Sequence, residues 1–283
     1  MTVNWFPKHM RSSEAVLLKN LKSADVIFEV LDARIPSSSR DPRIDSVIHQ
    51  KPRIVVLNKC DLSDRTSDLK WIDYFKEKGF KALRISASQG SGVKRLVGTA
   101  QSVAAAGREG RQGRRNLKRA VMAMVVGIPN VGKSTIINAI AGKKKTRIAD
   151  KPGITRVKQR VTTPMGLELL DTPGILWPRE DEETFENLAM VGAVKDELLD
   201  LETLSLSLLK RLIRQAPETL AKRYGIQVSN GSPLEILDEI AMKRGCIRKN
   251  QGIDRMRVSR IVVGDFRKGK FGRISLETPE EGR

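Results

Sequence analysis

The chain has 283 residues and a mass of 31.6 kDa, which at about 100–200 residues per domain predicts two domains. Its 52 Lys and Arg against 33 Asp and Glu give a net charge of +19, typical of proteins with a polyanionic partner. With only Cys60 and Cys246, a disulfide framework and a thiolate zinc site are excluded, and no apolar run approaches the ~20 residues that span a bilayer. We therefore expect a cytoplasmic protein that does not bind membranes.

Strand and helix patterns alternate along the first part of the chain. Apolar, β-branched runs at 25–33, 53–59 and 81–86 predict strands, and a helical pattern at 67–79 lies between the second and third, with Gly79 suited to end it. The strands are apolar throughout rather than alternating with polar residues, which is typical of parallel strands covered by helices on both faces. We therefore predict an α/β domain with a parallel-rich sheet.

A basic, glycine-rich segment at 107–119 interrupts this alternation. It has six basic residues, three glycines and one acidic residue, and we interpret it as a flexible linker. A strand pattern at 120–127 and a helical pattern from Lys133 then resume the alternation, so we assign both sides of the linker to the same sheet.

From about residue 182 onward, amphipathic helical patterns replace the strand patterns, as in 201–215, 233–245 and 258–274. We predict a first domain over 1–181 and an all-helical domain over 182–283 that contributes to binding the polyanionic partner. From Leu201 to the end the chain has 17 basic residues against 10 acidic ones, although a merely solvated basic surface is the alternative.

Residues 127–135, GIPNVGKST, fit the phosphate-binding pattern G-x-x-x-x-G-K-[ST], after a predicted strand and at the start of a predicted helix. Gly127 lets backbone N–H groups wrap phosphates, Lys133 can reach the β and γ oxygens, and Ser134 can bind Mg²⁺. A glycine turn with only a structural role is the alternative. The predicted nucleotide contacts are Asn130, Val131, Gly132, Lys133, Ser134 and Thr135.

A second motif, DTPG, begins at Asp171 about forty residues later and follows a short apolar run. Asp171 is therefore expected at a strand end, where it can hold Mg²⁺ through water, and Gly174 can offer its N–H to the γ-phosphate. In the basic loop between the motifs, Thr155 can close over Mg²⁺ when a γ-phosphate is present. We class Thr155 and Lys133 as catalytic; a basic loop without this role is the alternative.

The tetrapeptide NKCD, formed by Asn58, Lys59, Cys60 and Asp61, ends a predicted strand. An aspartate here can accept hydrogen bonds from N1–H and the 2-amino group of guanine, and adenine lacks the second donor. Ser86 and Ala87 also follow a predicted strand, and the Ala87 N–H is expected to meet guanine O6. A polar turn without base contacts is the alternative.

These motifs are those of GTPases, but the guanine-reading motifs precede the phosphate-binding loop. This order resembles the circularly permuted GTPases. The segments WFPKHM, LDARIP, LDTPGILWP, KRGC and KFGRIS resemble the bacterial ribosome biogenesis GTPase A family, so the resemblance covers nearly the whole chain. The resemblance implies a circularly permuted P-loop GTPase fold. A parallel sheet tolerates the permuted order because all its nucleotide-binding loops lie at one edge, whatever the order of the strands along the chain.

The resemblance also implies function. It indicates a monomeric factor that hydrolyses GTP with Mg²⁺ and takes part in assembly of the large ribosomal subunit. It also implies that the basic linker and the helical domain bind ribosomal RNA. Asn130 resembles the asparagine with which some GTPases bind K⁺ beside the phosphates. Ile175 occupies the position where many GTPases have a water-orienting glutamine, and the family assigns that role to the histidine equivalent to His9. The family pattern is Pro-Gly-His-Met, whereas Lys8 precedes His9 here; a histidine that packs or faces solvent is the alternative.

Two other function classes remain open from the sequence. One is a nucleotide-gated RNA-binding module with negligible turnover, which hydrolysis assays with and without large subunits would distinguish. The other is an ATP-dependent P-loop enzyme, against which the guanine-reading carboxylate of Asp61 argues.

Overall fold

The computed structural model describes residues 21–48, 51–109, 120–142, 160–172, 181–228, 231–248 and 252–279. These residues form two compact units, one built on a sheet and one built of helices. No helix in these ranges has the length and apolar character needed to cross a membrane.

The sheet of the first unit has the strand order β3-β2-β1-β4-β6-β5. All neighbouring strands are parallel except β5, which runs antiparallel to β6 at the edge, so the sheet is parallel-rich as expected. The strands are β1 (Val26–Asp32), β2 (Arg53–Asn58), β3 (Lys81–Ile85), β4 (Val121–Val126), β5 (Arg160–Thr162) and β6 (Leu167–Asp171).

Helices cover both faces of this sheet. On one face Ile27 packs with Ile48 of a short helix, and Leu31 packs in a neighbouring cluster with Phe75 of a longer one. Phe28 is equally buried but points to the opposite face, because side chains alternate along a strand. The helix at Val93–Glu109 contacts both β1 and β4 and supplies the second layer. The helices of this unit are α1 (Ile44–Ile48), α2 (Arg65–Glu77), α3 (Val93–Glu109) and α4 (Lys133–Ala141).

The second unit, Asp181–Leu276, is helical apart from turns and one isolated bridge within its described residues. Helix α6 contacts α8 and α9, and its Leu204, Leu208 and Leu212 are buried. The helices are α5 (Glu182–Met190), α6 (Leu201–Gln215), α7 (Pro217–Tyr224), α8 (Pro233–Lys243) and α9 (Arg255–Arg267), with a 3-10 turn at Asp196–Leu198.

Three features differ from the sequence prediction. The linker predicted over 107–119 cannot begin at residue 107, because residues 107–109 continue helix α3 to its end at Glu109. The helix predicted over 258–274 is α9, which begins earlier because the Asp254 side chain caps it and ends at Arg267 because Gly269 adopts a left-handed backbone with φ 69°. The predicted second domain extends to residue 283, whereas Glu277 belongs to the first unit. The physical reason is that its carboxylate accepts hydrogen bonds from the Ser37 and Ser38 N–H groups.

Candidate nucleotide-binding site

The predicted motifs come together because they follow parallel strands. Asp32 lies beside Asn58 in the register of β1 and β2, and Asn58 lies beside Ile85 of β3. On the other side of β1, Val125 of β4 lies beside Asp171, the last residue of β6. The carboxyl ends of all five parallel strands therefore share one edge. From β1 the chain continues to β2 on one side, and from β4 it continues to β5 and β6 on the other side. Such a switch point is where open α/β sheets bind ligands.

The loop between β4 and α4 approaches its neighbours so closely that two positions require glycine. Gly127 has φ 152°, and a Cβ there would lie 2.5 Å from the carbonyl oxygen of Val30. Gly132 has φ 96°, and a Cβ there would collide with Nδ2 of Asn58. Helix α4 begins at the next residue, Lys133, so the loop leads into a helix N-terminus whose N–H groups favour phosphate.

Lys133 is buried at the start of α4, and its side chain stabilises the loop between β4 and α4. Its Nζ donates to the carbonyl oxygens of Gly127 at 2.9 Å and Ile128 at 2.8 Å. Burial lowers the pKa of Lys133 to about 8, against the opposing effect of the negative charge of Asp171. An ammonium group has three protons, so the third can serve the phosphate contact predicted for this lysine.

Asp171 is 2% exposed at the end of β6, and neither of its carboxylate oxygens has a hydrogen-bond partner in the described part of the chain. Burial raises the pKa of this carboxyl, while the nearby positive charge of Lys133 lowers it. The next residue, Thr172, is fixed by a hydrogen bond from its Oγ1 to the carbonyl oxygen of Val125 at 2.6 Å. A buried carboxylate with uncommitted oxygens fits Mg²⁺, which typically combines one or two carboxylates with substrate phosphates and waters.

The other residues predicted to contact the nucleotide lie in the loop between β4 and α4 and in the first turn of α4. Ser134 and Thr135 are half-buried in the first turn of α4, and Val131 is buried. Asn130 has a left-handed backbone with φ 60°, a conformation that asparagine tolerates better than most residues. Among described residues no group of three or more His, Cys, Asp and Glu is arranged to hold a metal, so a cation here would depend on phosphate, hydroxyl or amide oxygens as well.

Asn58 connects three of the motifs. Its Nδ2 donates to the carbonyl oxygen of Val131 at 2.7 Å, and its Oδ1 accepts from the Ala87 N–H at 3.2 Å. The sequence predicts that this N–H meets guanine O6, whereas in the structure it is directed at Asn58. The side chain of Asn58 therefore holds the phosphate-binding loop and the loop after β3 in a fixed relation, a role that spacing alone did not reveal.

Lys59 of NKCD is held by Asp32, a residue that none of the predicted motifs contains. Lys59 has a left-handed backbone with φ 61°, and its Nζ lies 3.0 Å from Oδ2 of Asp32. Asp32 also accepts from Nε and Nη2 of Arg34 at 2.9 and 2.8 Å. Burial alone would raise the pKa of Asp32, but the charges of Arg34 and Lys59 outweigh it and hold that pKa well below its usual range. The available clue was an aspartate ending an apolar strand, in LDARIP.

Asp61 is half-buried, and its Oδ1 is buried without a hydrogen-bond partner among the described residues. This is the carboxylate predicted to read guanine, and an uncommitted buried acceptor fits that role. Beside it, the loop after β3 is closed by paired backbone hydrogen bonds between Ser86 and Ser91, and the hydroxyls of Ser86 and Ser88 lie 3.2 Å apart.

Several predicted residues lie outside the described ranges. They are His9, Thr155, Gly174, Ile175 and residues 110–119 of the basic linker. Their predicted roles stay predictions.

Comparisons with known proteins agree on one family. A family model for 50S ribosome-binding GTPases matches residues 122–230. Ribosome biogenesis GTPase A of Priestia megaterium is 40% identical to this chain, covering 99% of it and 98% of its own length. Mitochondrial ribosome-associated GTPase 1 of Mus musculus is 33% identical, with 96% and 89% covered. The crystal structure of GNP-bound YlqF from T. maritima is similar with a TM-score of 0.62 and 27% identity, covering 95% of this chain and 99% of that one.

Proposed function

Because the chain belongs to the ribosome biogenesis GTPase A family, we propose that it couples GTP hydrolysis to assembly of the large ribosomal subunit and that it binds ribosomal RNA through basic surfaces. The family makes it a GTP hydrolase with a circularly permuted P-loop fold that acts in ribosome assembly. The large subunit, the RNA contact, a monomeric state and a cytoplasmic location are the further parts of the proposal.

The site geometry supports GTP as the substrate. Asp61 and Asp171 each present a buried carboxylate oxygen without a partner in the described chain. Asp61 follows β2 and Asp171 ends β6, so they flank the phosphate-binding loop on opposite sides. In the proposed site, Asp61 reads the base and Asp171 serves the cation at the phosphates. Asn58 holds the phosphate-binding loop to the base-reading loops.

Each protein residue then has a defined task in the proposed reaction. Lys133 binds phosphate oxygens while it braces the loop, and Ser134, Asp171 and Thr155 hold Mg²⁺, which stabilises negative charge on the transferring phosphoryl group. Asn130 adds a K⁺ contact. His9 orients the attacking water, a task that the apolar Ile175 cannot perform.

The RNA part of the proposal is supported by the charge distribution in the helical unit. Between Lys243 and Arg273 the chain has 11 Lys and Arg and only two acidic residues. Part of this basic stretch is exposed, without an ion pair among the described residues. Exposed cations without acidic partners are available to neutralise RNA phosphates. The exposed residues are Lys243, Arg244, Arg248, Arg257, Arg260, Lys268, Lys270 and Arg273.

Cosedimentation with immature and mature subunits, in GTP and in GDP, tests the proposal. We expect GTP-dependent binding to immature large subunits, and no binding to small subunits. Replacing four exposed cations of the basic stretch by alanine should weaken binding and flatten its salt dependence, since fewer counterions are released. The variant carries K243A, R248A, R260A and K268A.

A control variant with the same change in net charge distinguishes the effect of the basic stretch from the effect of net charge alone. It replaces four exposed cations of the first unit, namely Arg65, Lys70, Lys76 and Lys81. We expect this control to bind subunits more strongly than the basic-stretch variant. Equal weakening in the two variants would show that only net charge matters, and binding to small subunits alone would contradict the proposal.

A further inference from the structure

Glu277 contacts two segments of the first unit, one that precedes NKCD in the sequence and one that follows it. Its carboxylate accepts from the N–H groups of Ser37 at 2.7 Å and Ser38 at 3.1 Å, and from the Ser38 hydroxyl. Its backbone carbonyl accepts from Oγ of Ser67 at 2.9 Å and from Nε1 of Trp71 at 3.3 Å. A single residue near the C-terminal end thus joins the loop after β1 to helix α2.

The first of these contacts holds the loop that positions Lys59. Ser39, adjacent to the bonded Ser38, accepts a hydrogen bond from the Asp32 N–H through its Oγ at 3.1 Å. Asp32 in turn forms the buried ion pair with Lys59 at 3.0 Å. The loop that Glu277 holds is therefore also linked, through Asp32, to Lys59 of NKCD.

The second contact holds the helix that follows NKCD. Trp71 is 5% exposed and packs in a cluster with Leu57 and Phe75, and Cys60 of NKCD packs against the same cluster. The Leu62 N–H donates to the Lys59 carbonyl at 2.8 Å, so the motif leads into α2 through a tight turn. Displacing α2 would therefore displace the residues on both sides of Asp61.

We propose that Glu277 is a positioning residue for guanine recognition: it fixes the two supports of the NKCD loop and thereby the carboxylate of Asp61. Hydrogen bonds from N–H and hydroxyl donors to a charged carboxylate are stronger than neutral ones, which suits a residue that must hold two segments together. The residue does not touch the nucleotide-reading carboxylate itself. Its effect must pass through the loop after β1 and through α2.

Release of fluorescently labelled GDP and IDP from the purified chain tests this role. The base of IDP lacks the 2-amino group, so it can give Asp61 only one of the two hydrogen bonds that guanine gives. Glu277→Gln keeps the shape of the side chain but replaces one acceptor oxygen by a donor that faces other donors. We expect GDP release to become about five- to tenfold faster, a typical size for coupling between separate sites. IDP release should change less, and kcat at saturating GTP should stay near the parent value.

Two further variants make the test specific. Glu77→Gln is the same substitution at an exposed position of α2, and it should leave release of both nucleotides unchanged. Ser38→Ala removes one donor to Glu277, and combining it with Glu277→Gln should give less than the product of the two single effects, because both remove the same contact.

Unchanged GDP release in Glu277→Gln would overturn the inference. So would equal acceleration of GDP and IDP release together with a lower Tm, since that pattern indicates general destabilisation. The assay contains no ribosomal particle, so its outcome is independent of the proposed role in large-subunit assembly.

Discussion

The side-chain amide of Asn58 lies 2.7 Å from the carbonyl oxygen of Val131, and it joins the end of β2 to the phosphate-binding loop across 73 positions of sequence. The same amide accepts from the Ala87 N–H. The predicted base-reading loops and the phosphate-binding loop are therefore linked through one buried polar side chain. The first two predictions follow from this link.

Asn58→Ala should weaken GTP and GDP binding together, because it leaves the Val131 carbonyl and the Ala87 N–H without their partner. A buried polar group that loses its hydrogen bond costs about 1–3 kcal/mol. Titration calorimetry with both nucleotides measures the loss. Gln101→Ala is the control, since it removes an amide bonded to the Met165 carbonyl on an exposed surface and should leave affinity unchanged. Equal affinities for Asn58→Ala and the parent would contradict the proposed link.

Gly132→Ala should also reduce nucleotide binding, because the new methyl group would collide with Nδ2 of Asn58. Gly142→Ala is a matched control: Gly142 also has a left-handed backbone, with φ 67°, but a methyl group there meets nothing within 4 Å. Both variants carry the backbone strain of about 1–2 kcal/mol expected for alanine in this conformation. Only Gly132→Ala should lose affinity in addition to thermal stability. Comparable affinities in the two variants would rule out the collision as the cause.

Asp61→Asn should lower GTP affinity by about 1–3 kcal/mol, because an amide cannot accept from both donors of guanine. The same variant should prefer XTP, whose base offers an acceptor where guanine has its 2-amino group. Competition binding with GTP, XTP and ATP measures this preference. The exposed Asp73→Asn in α2 serves as control and should keep the parent's selectivity. Retained preference for GTP over XTP in Asp61→Asn would refute the assignment of Asp61.

GTP hydrolysis should be faster in KCl than in NaCl at equal ionic strength. A K⁺ ion beside the phosphates would offset negative charge that develops in the transition state. Asn130→Gly should remove this difference while it keeps the left-handed backbone that Asn130 adopts with φ 60°. Steady-state phosphate release measures both effects. Rates that are equal in the two salts for the parent chain would exclude the potassium site.

His9→Ala should lower subunit-stimulated kcat by about 10²–10⁴, the range for a positioned acid–base group, and should leave GTP affinity nearly unchanged. A neutral imidazole can accept from the attacking water and donate elsewhere. The chain's other histidine, His49, provides the control substitution His49→Ala, which should retain stimulated turnover. Stimulated turnover of His9→Ala within a factor of about two of the parent would show that His9 is not catalytic.

Most strands and helices and all the motifs could be predicted from the sequence, because both depend on local spacing, whereas the ends of some helices could not. Apolar runs such as 121–126 are strands with every residue buried, and helix α6 spans the predicted 201–215. The glycine positions of the phosphate-binding loop and the aspartates that end or follow strands are also local features. Parallel pairing then brings these strand ends to one edge of the sheet, so the location of the site followed from the motifs.

The contacts that hold the loops could not be predicted from the sequence and are seen only in the folded chain. The bond from Asn58 to Val131, the ion pair of Lys59 with Asp32 and the contacts of Glu277 all join residues that are distant in the chain or lie in irregular loops. Hydrophobic periodicity does not encode such contacts, because a polar side chain finds its partner only after the sheet has set the register of its strands. The motif residues of the loops were therefore evident in the sequence, while their partners, such as Asp32, became evident only once the strands were side by side.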